Sequence, residues 1–195
     1  MLPENIIFLG LAISLIGIFF YVRSILRGHA KPNLVSWFIW TLAPFIGVFF
    51  QLKAGANLSV LPVFMAGLGP CVIILVAFLT KNAIWKINKF DLACGAVSLI
   101  SLAIYVLTHN LAISVLFAIL SDLLAFIPTF VKGWKFPETE HHSAYSYPIL
   151  SNLVGLLVIK EWTFTIYSFG LYFLIANLTM ILILYRKRIY EKLYT

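Results

Sequence analysis

The chain of 195 residues is short of charge: Asp, Glu, Lys and Arg make up 11% of it, against 62% apolar residues and a mean hydropathy of +1.01. A soluble domain carries roughly 25% charged residues, and 14 basic and seven acidic side chains are too few to give a fold of this size a polar skin. A water-soluble globular domain is therefore excluded. Cysteine is also scarce. Cys71 and Cys94 are the two in the chain; they form no C-x-x-C motif, which removes a disulfide framework or zinc ribbon, and both are read as packing residues. The catalytic signatures G-x-S-x-G, H-E-x-x-H and the P-loop are missing, so neither enzymatic activity nor a cofactor is expected. The opening Met1-Leu2-Pro3-Glu4-Asn5 lacks the positive region of a secretory leader, and the first apolar run is expected to stay as a helix.

Long apolar runs are what the sequence has in abundance. At about 20 residues per span, the runs bounded by Lys, Arg, Asn, Gly and Pro predict seven membrane helices near 6–22, 34–52, 58–80, 92–107, 111–131, 145–159 and 164–185. Unpaired backbone groups are too costly in hydrocarbon for anything but helix here, and no run shows the in-out alternation of a barrel strand. An all-α membrane protein follows. Arg23, Arg27, Lys31, Lys81, Lys86, Lys89, Lys132, Lys135, Arg186, Lys187, Arg188 and Lys192 fall at one face of such a bundle, and Lys53 and Lys160 at the other. The positive-inside rule then sets the amino terminus outside and the carboxyl terminus in the cytoplasm. The net charge of +7 is thus an orientation signal; dispersed over short loops, it makes no nucleic-acid surface.

The sequence also carries a weak internal repeat. Shifting it by 107 positions sets Ser14 on Ser121, Arg23 beside Lys132 and Ser36 on Ser143, each time a helix, a basic turn, a proline and a serine opening the next helix. This predicts two parallel triple-helix units, 1–80 and 111–195, joined by a linker helix within 81–110, a 3-1-3 plan. That plan, the Ile127-Pro128-Thr129 run and the basic loop leading to a serine resemble the PQ-loop superfamily, which includes the SWEET sugar transporters. Thr129 stands where that family has glutamine, and Tyr21-Val22 where it has a Pro-Gln pair, so a divergent bacterial branch, in an inner membrane, is the closer description. The resemblance implies a transporter of a small polar solute, sugar ahead of amino acid or vitamin, that works by alternating access between the units. A non-transporting receptor, sorting factor or scaffold on the same fold is the alternative, and a homo-oligomer is left open.

Several residues stand out within the spans. Asp122 is the one carboxylate inside an apolar run; such a charge costs from about 2.5 kcal/mol upward, and it is read either as a proton or solute site or as a structural carboxyl bonded to Ser121 or Ser14. Asn177 and Asn152 are amides in apolar runs, read as pocket-lining groups or as interhelical glue. Trp40, one turn beyond Trp37, offers an aromatic wall, with interfacial anchoring as the other reading; the repeat gives Tyr147 the corresponding place. Helix-interior prolines free a backbone carbonyl, and the resemblance makes Pro44, Pro128 and Pro148 hinges, although membrane helices tolerate proline routinely. Pro62 and Pro70 are placed to kink the third span. Glu138-Thr139-Glu140-His141-His142 holds metal-ligand types, but adjacent loop histidines are more often solvated, and no metal is expected; His29 and His109 are discounted likewise. Glycines at 10, 17, 67 and 69 read as close-packing positions.

Overall fold

A computed structural model describes residues 3–80, 85–107 and 110–194. The described chain is all-helical, with seven α-helices: α1 Ile7–Leu26, α2 Leu34–Lys53, α3 Leu61–Thr80, α4 Lys89–Leu107, α5 Leu111–Lys135, α6 Ser143–Leu157 and α7 Phe164–Tyr194. Among the described residues, five helical stretches are long and apolar enough to cross a membrane: Ile7–Leu26, Leu34–Lys53, Leu58–Thr80, Leu111–Lys135 and Phe164–Arg186. Residues at the ends of the apolar runs punctuate them. The side chains of Asn33 and Asn110 accept N-terminal amides of α2 and α5, as favoured N-caps do. Asn88 and Asp91 exchange backbone-to-side-chain bonds at the start of α4. After α1, Gly28 takes φ +73° while Gly28 N–H and His29 N–H return to the carbonyls of Ile25 and Ser24, the Schellman closure that favours glycine.

Several ends differ from expectation. α1 runs four residues past 22 and α5 four past 131, because Arg23, Lys132 and Lys135 occupy last turns, where cations suit the helix dipole. α7 continues to Tyr194, since no proline or glycine interrupts the chain after Gly170. Lys81 and His109 lie outside the described residues, as do the side chains of Lys187, Arg188 and Lys192.

The distribution of side chains is that of a protein dissolved in lipid. Leu79, Leu107, Leu26 and Phe19 are exposed, whereas Ser36, Ser98, Ser114, Ser121, Asp122 and Thr129 have no exposed surface. Polar groups inside and large apolar groups outside invert the soluble pattern and fit an integral membrane protein.

α3 packs on both α1 and α2, and α7 on both α5 and α6; α1 lies against α6 and α2 against α5, while α4 packs on α5 and on the side of α2. Glycine permits the closest approaches. A Cβ at Gly17 of α1 would stand 2.6 Å from the Cβ of Tyr147, and one at Gly155 of α6 would stand 2.8 Å from Pro62 of α3, so α1 and α3 both meet α6 nearly backbone to side chain.

Candidate functional site

Where α1, α2, α3, α6 and α7 converge, they leave a central cavity of about 80 Å³. Its walls follow from helix periodicity. Trp37 and Trp40, three residues apart, share one face of α2, and Ser14, Gly17 and Tyr21 share one face of α1. Pro148 and Asn152 of α6, Phe173 and Asn177 of α7, Pro62 and Pro70 of α3 and Phe126 of α5 complete it. The aromatic rings form a continuous wall: Tyr21 to Trp37 is 5.0 Å between centroids, Trp37 to Trp40 5.2 Å and Trp40 to Phe126 4.3 Å.

The cavity's polar groups are uncharged. Ser14 Oγ donates to Ser151 Oγ at 2.8 Å. Asn152 Nδ2 donates to the Pro148 carbonyl at 2.9 Å and Asn177 Nδ2 to the Phe173 carbonyl at 2.8 Å, each four residues back on its own helix. Two buried groups on the lining have no partner, the acceptor Asn152 Oδ1 and the donor Trp37 Nε1. An unsatisfied buried polar atom costs about 1–3 kcal/mol. Both residues line the cavity, but these two atoms are themselves shielded, Asn152 Oδ1 lying toward Gly170 of α7.

The structure brings Trp40, Asn152, Asn177 and Pro148 together on this lining and leaves other singled-out residues off it. Asp122 is fully buried behind the aromatic wall: its Oδ2 accepts from Tyr172 Oη at 2.7 Å, its Oδ1 has no partner, and its backbone carbonyl accepts from Trp40 Nε1 at 3.4 Å. Neither Ser121 nor Ser14 is its partner, because Ser121 Oγ donates to the Ser98 carbonyl and Ser14 to Ser151. Tyr147 is half-buried against Gly17 and stacks on Phe20 at 6.1 Å. Pro44 and Pro128 are buried inside α2 and α5, away from the cavity.

The end of the cavity nearest the basic loops is closed by a layer that sequence reasoning missed. Lys132 and Glu140 form an ion pair at 2.6 Å with side chains 1% and 0% exposed. Glu140 Oε2 also accepts from Tyr145 Oη at 2.9 Å and Tyr21 Oη at 3.1 Å, and both tyrosines line the cavity on their other side. Lys132 Nζ donates further to the carbonyls of Lys31 and Thr139 and lies 5.1 Å from the Trp85 ring. Lys31 N–H donates to the Thr139 carbonyl at 3.0 Å, and Thr129 Oγ1 donates to Ser36 Oγ at 3.1 Å. The loops after α1 and α5 are thus tied to each other across the bundle. Glu140, singled out only as one of several metal-ligand types, is a structural anion; the usable signal was a lysine and a glutamate eight residues apart, with tyrosines near the ends of two apolar runs.

His141 and His142 stack at 4.7 Å, and no group of three or more His, Cys, Asp or Glu able to hold a metal occurs among the described residues. Cys71 and Cys94 are free and half-buried. No protein-family model, no curated protein and no solved structure matches the chain.

Proposed function

We propose that the protein is a small membrane transporter that moves a neutral polar solute, sugars first, through the central cavity by alternating access between two triple-helix units in a 3-1-3 plan. The observation that carries this reading is the cavity itself, uncharged and lined from both halves of the chain. The packing supports the two-unit plan. Exchanging α1 with α5, α2 with α6 and α3 with α7 turns the contacts of α3 with α1 and α2 into those of α7 with α5 and α6. The same exchange turns α1 against α6 into α5 against α2, and leaves α4 as the element without a counterpart. Trp40 packs on Phe126 of α5 as Tyr147 packs on Phe20 of α1, with counterparts 107 and 106 positions apart.

On this reading the Lys132–Glu140 layer is the closed gate of one conformer. At about 80 Å³ the cavity is well below the roughly 300–1,000 Å³ of ligand pockets, so a sugar ring enters only when the units part, with Pro148 on the cavity wall and Pro44 and Pro128 inside the facing helices as hinges. The distribution of basic residues orients this gate to the cytoplasm of a bacterial cell. The small volume is also the observation that favours the second reading, a non-transporting receptor or scaffold.

Solute flux into proteoliposomes, over a panel of neutral sugars, amino acids and vitamins, tests the choice. Transport predicts flux that falls at least tenfold in Asn152→Ala and in Trp37→Phe, each of which changes a side chain on the cavity wall. Folded, monodisperse protein that moves none of the panel sinks the transport reading in favour of the second.

A further inference from the structure

A second pocket, of about 190 Å³, opens at the basic end outside the central cavity, between the last turn of α1 and the loop before α6. It is lined by Phe20, Arg23, Ser24, Arg27, His29 and His141. The Schellman turn at Gly28 gathers Arg23, Arg27 and His29 around it, since His29 N–H and Ala30 N–H both bind the Ser24 carbonyl. No acidic side chain is on the lining, and the ion pair found among the described residues, Lys132–Glu140, lies elsewhere. Ser24 is 5% exposed, yet its Oγ has no partner. On the opposite wall, Ser143 N–H donates to Nδ1 of His141, so the neutral ring carries its proton on Nε2 as a donor. Two arginines and two histidines therefore share one lining that carries no acidic side chain to balance them.

We propose that this pocket binds an anionic phosphate group, held by Arg23 and Arg27 in the forked geometry that guanidinium offers phosphate, with the two imidazoles of His29 and His141 completing the cradle. The chemistry is shared by a phosphodiester lipid headgroup of net negative charge and by free phosphate. The exposed ring of Phe20 on the same lining places the pocket next to acyl chains, as for basic sites that take lipid headgroups at this membrane face.

Binding is linked to protonation. Burial and the neighbouring charges of His142 and His29 hold the His141 imidazole below its usual range. The groups facing it are Arg23 and Arg27 of α1, His29 of the turn, and His142, whose ring also meets Tyr185 of α7; the adjacent Glu140 is committed to Lys132, Tyr21 and Tyr145. A bound phosphodiester, which keeps its negative charge through this range, favours the imidazolium, so its binding takes up protons and tightens as pH falls through the histidine range.

The test uses the full chain in zwitterionic phosphatidylcholine nanodiscs titrated with inorganic phosphate and followed by phosphorus NMR. In a second arm, native mass spectrometry follows retention of phosphatidylglycerol against phosphatidylcholine. Wild type is expected to bind in at least one arm. Arg23→Ala with Arg27→Ala weakens binding about 30-fold and Arg27→Ala alone about fivefold, whereas the same charge removed at exposed Lys86 and Lys135 changes it less than twofold. Response to inorganic phosphate alone assigns the free anion, and retention of phosphatidylglycerol alone assigns the headgroup. Binding in neither arm overturns the proposal. So does an equal loss in the Lys86/Lys135 variant, which would mean general attraction to a basic surface, or an unchanged Arg27→Ala protein, whose exposed position keeps the result independent of how the double variant folds.

Discussion

Glu140 and Asp122 are both withdrawn from solvent, but Glu140 has a lysine on one oxygen and two tyrosine hydroxyls on the other, whereas Asp122 has one tyrosine and an empty oxygen. The difference follows from position. Glu140 sits in a loop where α1, α2, α5 and α6 end together, so several chain segments can send donors to it. Asp122 sits mid-helix on α5, which packs against α2, α4 and α7, and among the described residues the side chain seen donating to it is Tyr172. A carboxylate that ties elements together is a structural part, expensive to remove. One held by a single hydroxyl ties less of the fold together and is expected to be cheaper to replace.

The comparison is tested most severely at the ion pair. Glu140→Gln leaves Lys132 buried without a counter-charge, and breaking a buried pair from one side costs about 3–5 kcal/mol; a fall of that size in thermal or denaturant stability of the detergent-solubilised protein is expected. Lys132→Met together with Glu140→Leu recovers part of the loss because both charges leave, but not all of it, because the Tyr21 and Tyr145 hydroxyls lose their acceptor. A Glu140→Gln protein as stable as wild type would break the contrast at its stronger member. Tyr145→Phe is milder. It removes one hydrogen bond to a charged group, worth about 1.5–3 kcal/mol, while Tyr21 still holds the same oxygen. If Tyr145→Phe costs nothing measurable, Lys132 and Tyr21 hold Glu140 without it.

How far these features can be read from sequence depends on the dimension involved. Positions along the axis were legible: the apolar runs and their Asn, Gly and Lys boundaries locate the helix ends to within four residues, the last end of α7 excepted, and the polar and aromatic residues inside them, Trp40, Asn152 and Asn177, do share a cavity. Rotation about the axis was not. Asp122 and Phe126 are one turn apart on α5, yet the ring lines the cavity and the carboxylate lies behind it, because Trp40 stands between. Tyr147 matches Trp40 in the repeat, but Gly17 draws α1 and α6 so close that the ring is turned onto Phe20. Lys132 was legible as a charge at a helix end and not as a partner of Glu140, since the pairing requires the α5–α6 loop to fold back over the last turn of α5.

Asp122→Asn is expected to have the smallest effect on stability, within about 1 kcal/mol of wild type. The amide keeps an acceptor oxygen for Tyr172 and leaves the backbone carbonyl free to take the Trp40 indole N–H, so both observed bonds survive. It exchanges one unpartnered atom, Oδ1, for an unpartnered amide N–H2, two penalties of similar size, and it relieves a charge held in an apolar span. Thermal unfolding in detergent, measured beside Glu140→Gln, separates the two carboxylates directly. Should Asp122→Asn prove as damaging as Glu140→Gln, then Asp122 has a positive partner in the working protein, such as a bound cation on its free oxygen. The contrast between a structural carboxylate and one cheaper to replace would then become a contrast between two ion pairs, one built from the chain and one completed from solution.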